Sequence, residues 1–500
     1  MKARRLVSLV AATLVALAPG TWSTITTWYV GSSASCTFNG DGTTKDCAAS
    51  SNAAGRWRGF SAVNSNAASI LAGDTVCFVG DNQAESAALV LKSGSAGLPI
   101  TYTGDCAGQT ARPKLARSSG TSTEFIGTDV SYVKVDFLQF TDSLSTNTEV
   151  IKFLATGTNS TDIEVGRVMA SNALATAATP LHCIWFTSAN GKTFANIDIH
   201  DNEVYSCGTA GTQNSDGINI EAVTAGLRVL RNKAHHNYNE GIDISAGGIS
   251  PRVESNLTYL NGFSGIKVHC GTGAVSGSPV FAGNVTWGNG SWGFVWNDWP
   301  NTFFVKNTAS GGNVTLPYGP ATGNFGAAAI DSPNTGTCAR TGNTYQDNIF
   351  EADYSAGAVR IYVDTKSVFE AGNPWDGNVL GQTGAQTTLL YFSADTGNNV
   401  TISGFSTWAT GAHAHDQNAA PAWSGGAARN ANGRITRPSA LSAAGVATGS
   451  YTDVFGRAFV KSVGGVEITS QWQNDVARAA AGTRSAAGTR TAAGSRTAAP

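Results

Sequence analysis

Four segments carry one pattern at a near-constant step: Asp216-Gly-Ile-Asn-Ile, Glu240-Gly-Ile-Asp-Ile, Ser264-Gly-Ile-Lys-Val and Trp292-Gly-Phe-Val-Trp, offset by 24, 24 and 28 residues. A step of this length is a repeat signature, in which each segment is one strand in a stack of coils. Equivalent positions in neighbouring coils then lie about 4.8 Å apart, so position in the repeat predicts contact in space. Side chains alternate along a strand. Ile218, Ile242, Ile266 and Phe294 therefore form one inward column, and Ile220, Ile244, Val268 and Trp296 form the next. Asn219, Asp243, Lys267 and Val295 point outward, flanked by Asp216, Glu240, Ser264 and Trp292 just before the glycines. Charge is expected to gather there, on one outer face.

A second strand per coil is legible upstream, in Asn196-Ile-Asp-Ile-His, Leu227-Arg-Val-Leu, Pro251-Arg-Val-Glu, Pro279-Val-Phe-Ala and Thr302-Phe-Phe-Val. An asparagine follows each: Asn202, Asn232, Asn256, Asn284 and Asn307, while Asn237, Asn261 and Asn289 form a second series. Asparagine tolerates left-handed backbone and bonds nearby main chain, so both series read as ladders that satisfy tight bends. The pattern resembles right-handed parallel β-helix proteins, a group rich in polysaccharide lyases and hydrolases. The resemblance implies an all-β fold, a right-handed single-stranded parallel β-helix solenoid with an N-terminal cap. The 59 glycines and only 13% charged residues suit a molecule of short strands and tight turns.

Met1-Lys-Ala-Arg-Arg followed by the apolar run Leu6 to Ala18 reads as a secretory signal peptide, assigned to 1–24, since the run is too short to span a membrane. Residues 25–465 are expected to form the β-helix and its end caps, with coils from about 98 to about 405 and a final strand in Gly449 to Phe459. Beyond about Ala479 the arginines six apart among alanine and glycine offer no apolar face, and residues 466–500 are expected to be a low-complexity, disordered tail. A net charge of −2 gives no electrostatic case for nucleic acid, and no second apolar stretch reaches membrane-spanning length. A secreted, extracellular monomer is the expectation. Eight cysteines fit an oxidising compartment. Their pairing stays open, although proximity favours Cys36–Cys47 and Cys77–Cys106, and Cys183 and Cys207 are spaced to meet on adjacent coils.

Asp216 and Glu240 share a column on adjacent rungs, with Asp243 three residues beyond Glu240. Carboxylates held this close repel one another unless a cation compensates. Calcium is the natural candidate, a hard ion that takes six to eight oxygens in flexible geometry, with Asn214 and Asn239 as further donors. The bland alternative is a surface ion-pair ladder neutralised by Lys267, worth roughly 0–1 kcal/mol per pair and needing no function.

Asn214-Ser-Asp-Gly, Asn239-Glu-Gly-Ile-Asp-Ile and Phe263-Ser-Gly-Ile-Lys-Val-His are similar to the calcium-site and catalytic-lysine segments of family 9 polysaccharide lyases, the pectate lyase group on this fold. The resemblance implies that Asp216, Glu240 and Asp243 bind calcium and that Lys267 is the base. Asn239 stands where that family has an aspartate, and Glu240 replaces another. The implied reaction is β-elimination on an acidic polysaccharide. Calcium acidifies the proton next to the sugar carboxylate, and Lys267 removes it as a neutral amine, which predicts an alkaline optimum. His269, Tyr238, Trp292 and Arg231 are candidate substrate contacts, and Trp299 is a further candidate for stacking on sugar rings. A β-helix glycoside hydrolase using two carboxylates, an alginate-type lyase and a non-catalytic adhesin are the competing readings.

Overall fold

The structure, a computed structural model, describes residues 24–32, 36–80, 83–85, 87–106, 108–117, 123–140, 149–172, 181–208, 215–245, 247–269, 275–297, 299–310, 326–330, 341–352, 357–382, 386–409, 413, 416–418, 422–423 and 435–436. The signal segment, Asn214, the strand expected at 449–459 and the tail lie outside these. Among the described residues, three long sheets of 14, 12 and 12 strands run along the stack. Each regular coil gives one strand to each sheet in turn, as in Arg228–Leu230, Lys233–His235 and Ile242–Ile244. Within these sheets pairing is parallel, except where Thr388–Phe392 meets Val400–Thr401. The chain is a right-handed parallel β-helix, and its handedness is the one that parallel crossovers adopt.

The inward columns pair as the repeat predicts, Ile218 with Ile242, Ile242 with Ile266 and Ile266 with Phe294. All four side chains are fully buried. The N-terminal helix α1, Gly59–Ser65, lays Phe60 and Val63 over the end of this core, with Phe60 edge-on to Phe78 and Phe125. The stack starts earlier than residue 98, because Thr27–Gly31 and Thr75–Phe78 are already rungs of the first sheet.

The bend between the first and second sheets carries the main asparagine ladder. Asn232 Oδ1 accepts from the Asn202 amide and from Asn202 Nδ2, at 3.2 and 2.9 Å. Its own Nδ2 donates to the Ile199 carbonyl and to Asn256 Oδ1, at 2.8 and 3.1 Å. The ladder runs on through Asn284, Asn307, Asn348 and Asn378, and Asp416 Oδ1 closes it 2.6 Å from the Asn378 amide. The left-handed residue at this bend is the one before each asparagine, namely Asp201, Arg231, Ser255, Gly283, Lys306, Asp347 and Gly377. Asparagine therefore supplies hydrogen bonds here while its neighbour makes the turn. The second series, Asn237, Asn261 and Asn289, bonds in the same way at the bend into the third sheet.

The second sheet is absent from the sequence reading, which finds two strands per coil. In its middle coils the inward positions are small, Ala234, Thr258, Thr286 and Ala309, between the larger inward residues Phe140 and Val204 on one side and Phe350 and Leu380 on the other, while the large residues of those middle coils point outward. Tyr205, His235, Tyr259 and Trp287 stack there with ring centroids 5.4, 4.7 and 4.3 Å apart. The usual apolar-in pattern is thus reversed. Disulfides join Cys36 to Cys47, Cys77 to Cys106 and Cys183 to Cys207. Among the described residues no helix is long and apolar enough to cross a membrane.

Candidate active and metal site on the third sheet

The third sheet brings Asn219, Asp243, Lys267 and Val295 into one column by strict register. Just before these strands, Asp216, Glu240, Ser264 and Trp292 form a second column, continued downward by His182. The bland alternative of a solvated surface ladder does not fit, because Asp216, Glu240 and Asp243 are only 1%, 2% and 7% exposed. Lys267 and His269 are the accessible members, with side chains 22% and 23% exposed.

One carboxylate oxygen from each of Asp216, Glu240 and Asp243 lies within 4.8 Å of the other two. Asp216 is fully engaged: Oδ2 accepts from Asn219 Nδ2 at 2.8 Å, and Oδ1 accepts from Asn239 Nδ2 at 2.9 Å and from the Glu240 amide at 3.0 Å. His182 Nδ1 accepts the Asp216 amide at 3.1 Å. Burial alone would raise the Asp216 pKa, but the contacts with His182, Glu240 and Asn219 outweigh it and hold the carboxyl below its ordinary range. Glu240 moves the other way. Burial and the adjacent Asp216 charge push it well above its usual value.

Lys267 Nζ sits 2.8 Å from Asp243 Oδ2 and 3.7 Å from Glu240 Oε1. Burial opposes its charge, but Asp243 and Glu240 together raise its pKa, so the amine is held as ammonium. His269 Nε2 approaches the other Asp243 oxygen at 3.4 Å. Three buried oxygens in this cluster accept no hydrogen bond: Glu240 Oε2, Asp243 Oδ1 and Asn219 Oδ1. Buried acceptors without donors are costly, and a hard cation is what such a set lacks. The donor set, all oxygen and largely anionic, fits calcium.

The other candidates are placed differently. Arg231 lies at the bend between the first and second sheets, where it is paired in a fork with Asp201 at 2.8 and 2.6 Å, away from the acidic column. Trp292 heads the Glu240 column but is packed with Val295, Ala329 and Tyr362, with 5% exposure. Trp299 is core, fully buried against Trp296. Tyr238, half-buried, donates its amide to the Cys207 carbonyl at the bend leading into the third sheet.

Sequence reasoning missed the lower coils of this face. His182, Trp185 and Lys152 occupy the same two columns, one and two rungs below Asp216 and Asn219. Their steps of 34 and 33 residues are longer than those of the regular coils. A search that allowed longer coils would have found them.

The fold and site together define a β-helix protein with a buried acidic cluster against an accessible lysine. No family model matches the chain, and no curated protein matches it in sequence. Among solved structures it is similar to the GH136 lacto-N-biosidase of Eubacterium ramulus, at 12% identity and a TM-score of 0.50, over 74% of this chain and 66% of that one, just under two thirds of that enzyme's chain. It is similar to the A-module of the mannuronan C-5 epimerase AlgE4 of Azotobacter vinelandii, at 14% identity and a TM-score of 0.45, over 67% and 87% of the two chains. Pectate lyase Pel9A matches at 13% identity and a TM-score of 0.29, over 76% and 83%. At such identities the likeness is one of fold.

Proposed function

We propose that this protein is a secreted polysaccharide lyase that cleaves a uronic-acid polymer, pectate or polygalacturonate, by β-elimination. The observation that carries this reading is Lys267: an accessible amine in direct contact with a buried carboxylate cluster that retains three oxygens without donors. Calcium held by Glu240, Asp243 and Asp216, with Asn239 beside them, would supply Lewis-acid polarisation of the sugar carboxylate.

The residues of the chain do the rest. Asn219, Asn239 and the Glu240 amide fix Asp216 in its ionised form and so fix the geometry of the cluster. Lys267 removes the ring proton and must enter the reaction as a free amine. Asp243 and Glu240 hold it charged as it stands. Lys267 becomes a base only when those oxygens turn to another positive charge, so activity requires the metal and rises on the alkaline side.

A glycoside hydrolase is the second reading, favoured by one observation: Glu240 raised and Asp216 lowered are an acid and base split of the kind hydrolases use. Both carboxyls are nearly inaccessible, which weighs against direct contact with a glycosidic bond. Incubation with polygalacturonate, and separately with alginate, decides between them. Ultraviolet absorbance of an unsaturated product, lost on chelation, supports the lyase. New reducing ends without that absorbance support the hydrolase, and binding without either product supports an adhesin.

A further inference from the structure

The column that holds Lys267 does not end there. Register continues it through Val295 and Ala329 to Arg360 and Tyr391. Arg360 therefore stands three rungs beyond Lys267 on the same outward face, about 14 Å along the stack. Its guanidinium lies over the Tyr362 ring at 4.1 Å and near the Tyr391 ring at 5.6 Å. Nε donates to Ser393 Oγ at 2.9 Å, which fixes the fork. All three side chains are half-buried. No carboxylate among the described residues pairs with Arg360.

The contrast with other cations on the molecule is informative. Arg167, Arg228, Arg231, Arg252, Lys134, Lys152, Lys233 and Lys267 each touch a carboxylate, and Arg112, which lies over the Phe137 ring at 5.4 Å, donates to the Arg167 carbonyl at 2.7 Å on a different face. Lys152, below the acidic cluster in the same column, also rests on an aromatic ring, with Nζ 4.1 Å from the centre of Trp185. Glu149 at 3.2 Å already neutralises it. Arg360 instead keeps its charge available beside two aromatic rings, the combination that recognises a carboxylate carried on a sugar ring. Between it and Lys267 the column holds only Val295 and Ala329, with Trp292 and Tyr362 packed against them as an apolar stretch.

We infer that Arg360, with Tyr362 and Tyr391, forms an outer subsite that binds the carboxylate of a uronic-acid residue several sugars away from the one acted on at Lys267. This rests on the lyase reading for its substrate class. It adds that the protein grips an extended polymer, so affinity grows with chain length. A disaccharide held at Lys267 is too short to reach Arg360.

Binding in the full-length Lys267→Ala variant tests this without turnover, using galacturonate disaccharide, hexasaccharide and methyl-esterified hexasaccharide by calorimetry in calcium. Adding Arg360→Ala is expected to weaken hexasaccharide binding about tenfold. Disaccharide and esterified hexasaccharide should bind as before. Arg360→Lys, which keeps the charge without the fork, should recover part of the loss, and an unchanged melting temperature excludes misfolding. Hexasaccharide binding that is indifferent to Arg360→Ala, or no oligouronate binding at all, overturns the subsite. A wild-type protein that binds hexasaccharide through Arg360 but releases no unsaturated product overturns the lyase reading and leaves the subsite standing.

Discussion

Two buried polar columns grow from the same repeat and are finished in opposite ways. In the asparagine ladder every rung completes its neighbour: Asn256 Oδ1 accepts from the Asn232 amide and Nδ2, and Asn256 Nδ2 donates to the Val229 carbonyl and to Asn284 Oδ1. In the acidic column on the third sheet, Asp216 is saturated while Glu240 Oε2, Asp243 Oδ1 and Asn219 Oδ1 accept nothing. A fold able to satisfy seven successive asparagines has no geometric difficulty with such columns. Single buried atoms without partners occur elsewhere, as at Asp198 Oδ1 and Thr258 Oγ1, but here three oxygens cluster around carboxylates, which is what sets this column apart.

The largest expected effect breaks the two apart. In saturating calcium, which would balance Asp243 and Glu240 in its place, Lys267→Ala should lower turnover on polygalacturonate by about a thousandfold, within the range for loss of a general base, and leave thermal unfolding almost unchanged. Asn256→Ala should do the reverse. It leaves the Asn232 amide without its acceptor, and the Val229 carbonyl and Asn284 Oδ1 without their donor, on the two neighbouring coils, and should cost about 3 kcal/mol by chemical denaturation, while the remaining folded protein keeps its turnover. A ladder variant that abolished activity without destabilising the fold would erase the distinction.

Calcium sharpens the comparison further. At a hundredfold excess over its dissociation constant it should stabilise the wild type by about 2.7 kcal/mol, read as a rise in melting temperature. Asp243→Asn should lose most of that rise, and Asn284→Ala should keep it. In chelated protein the pH dependence follows from Glu240, whose folded pKa lies above its ordinary 4.5. The folded state binds that proton more tightly, so the contribution is present below pH 4.5 and is lost as pH rises through the folded value. Asp216 has the opposite sign, contributing above its ordinary 3.8 and losing this as pH falls through its lowered value. Glu240→Gln should therefore flatten the decline in melting temperature as pH rises above 4.5. The smallest effect is at Arg231: its removal breaks a partly exposed pair with Asp201, and should cost no more than about 1 kcal/mol and leave the Michaelis constant unchanged.

How much of this was legible depended on what each residue type signals. The third sheet is plain in sequence because Ile-x-Ile repeats with glycine before it, and Asp243 and Lys267 interrupt its outward column. The first sheet follows from Val229, Val253, Phe281 and Phe304, each one residue into a short run. The middle of the second sheet is illegible because its inward residues there are alanine and threonine while Tyr259 and Trp287 face outward, so apolar periodicity gives the wrong face. Within the site, residue type located Lys267, Asp243, Glu240 and Asp216. It could not reveal burial, which turns a charged surface into a cluster with shifted pKa values. Trp292 and Trp299 were read as sugar platforms because tryptophan serves both roles, and only packing separates them. Arg231 shows the same limit: its partner, Asp201, lies 30 residues earlier, and the chain gives no local sign of the pair.

On the proposed reading, the oxygens left without donors on the third sheet take up a cation that releases Lys267. A crystal soaked in calcium and measured for anomalous scattering tests it directly. The account predicts a peak bonded to Glu240 Oε2 and Asp243 Oδ1, with Lys267 Nζ no longer on Asp243. Saturating calcium with no peak, and the lysine still 2.8 Å from Asp243 Oδ2, would contradict it.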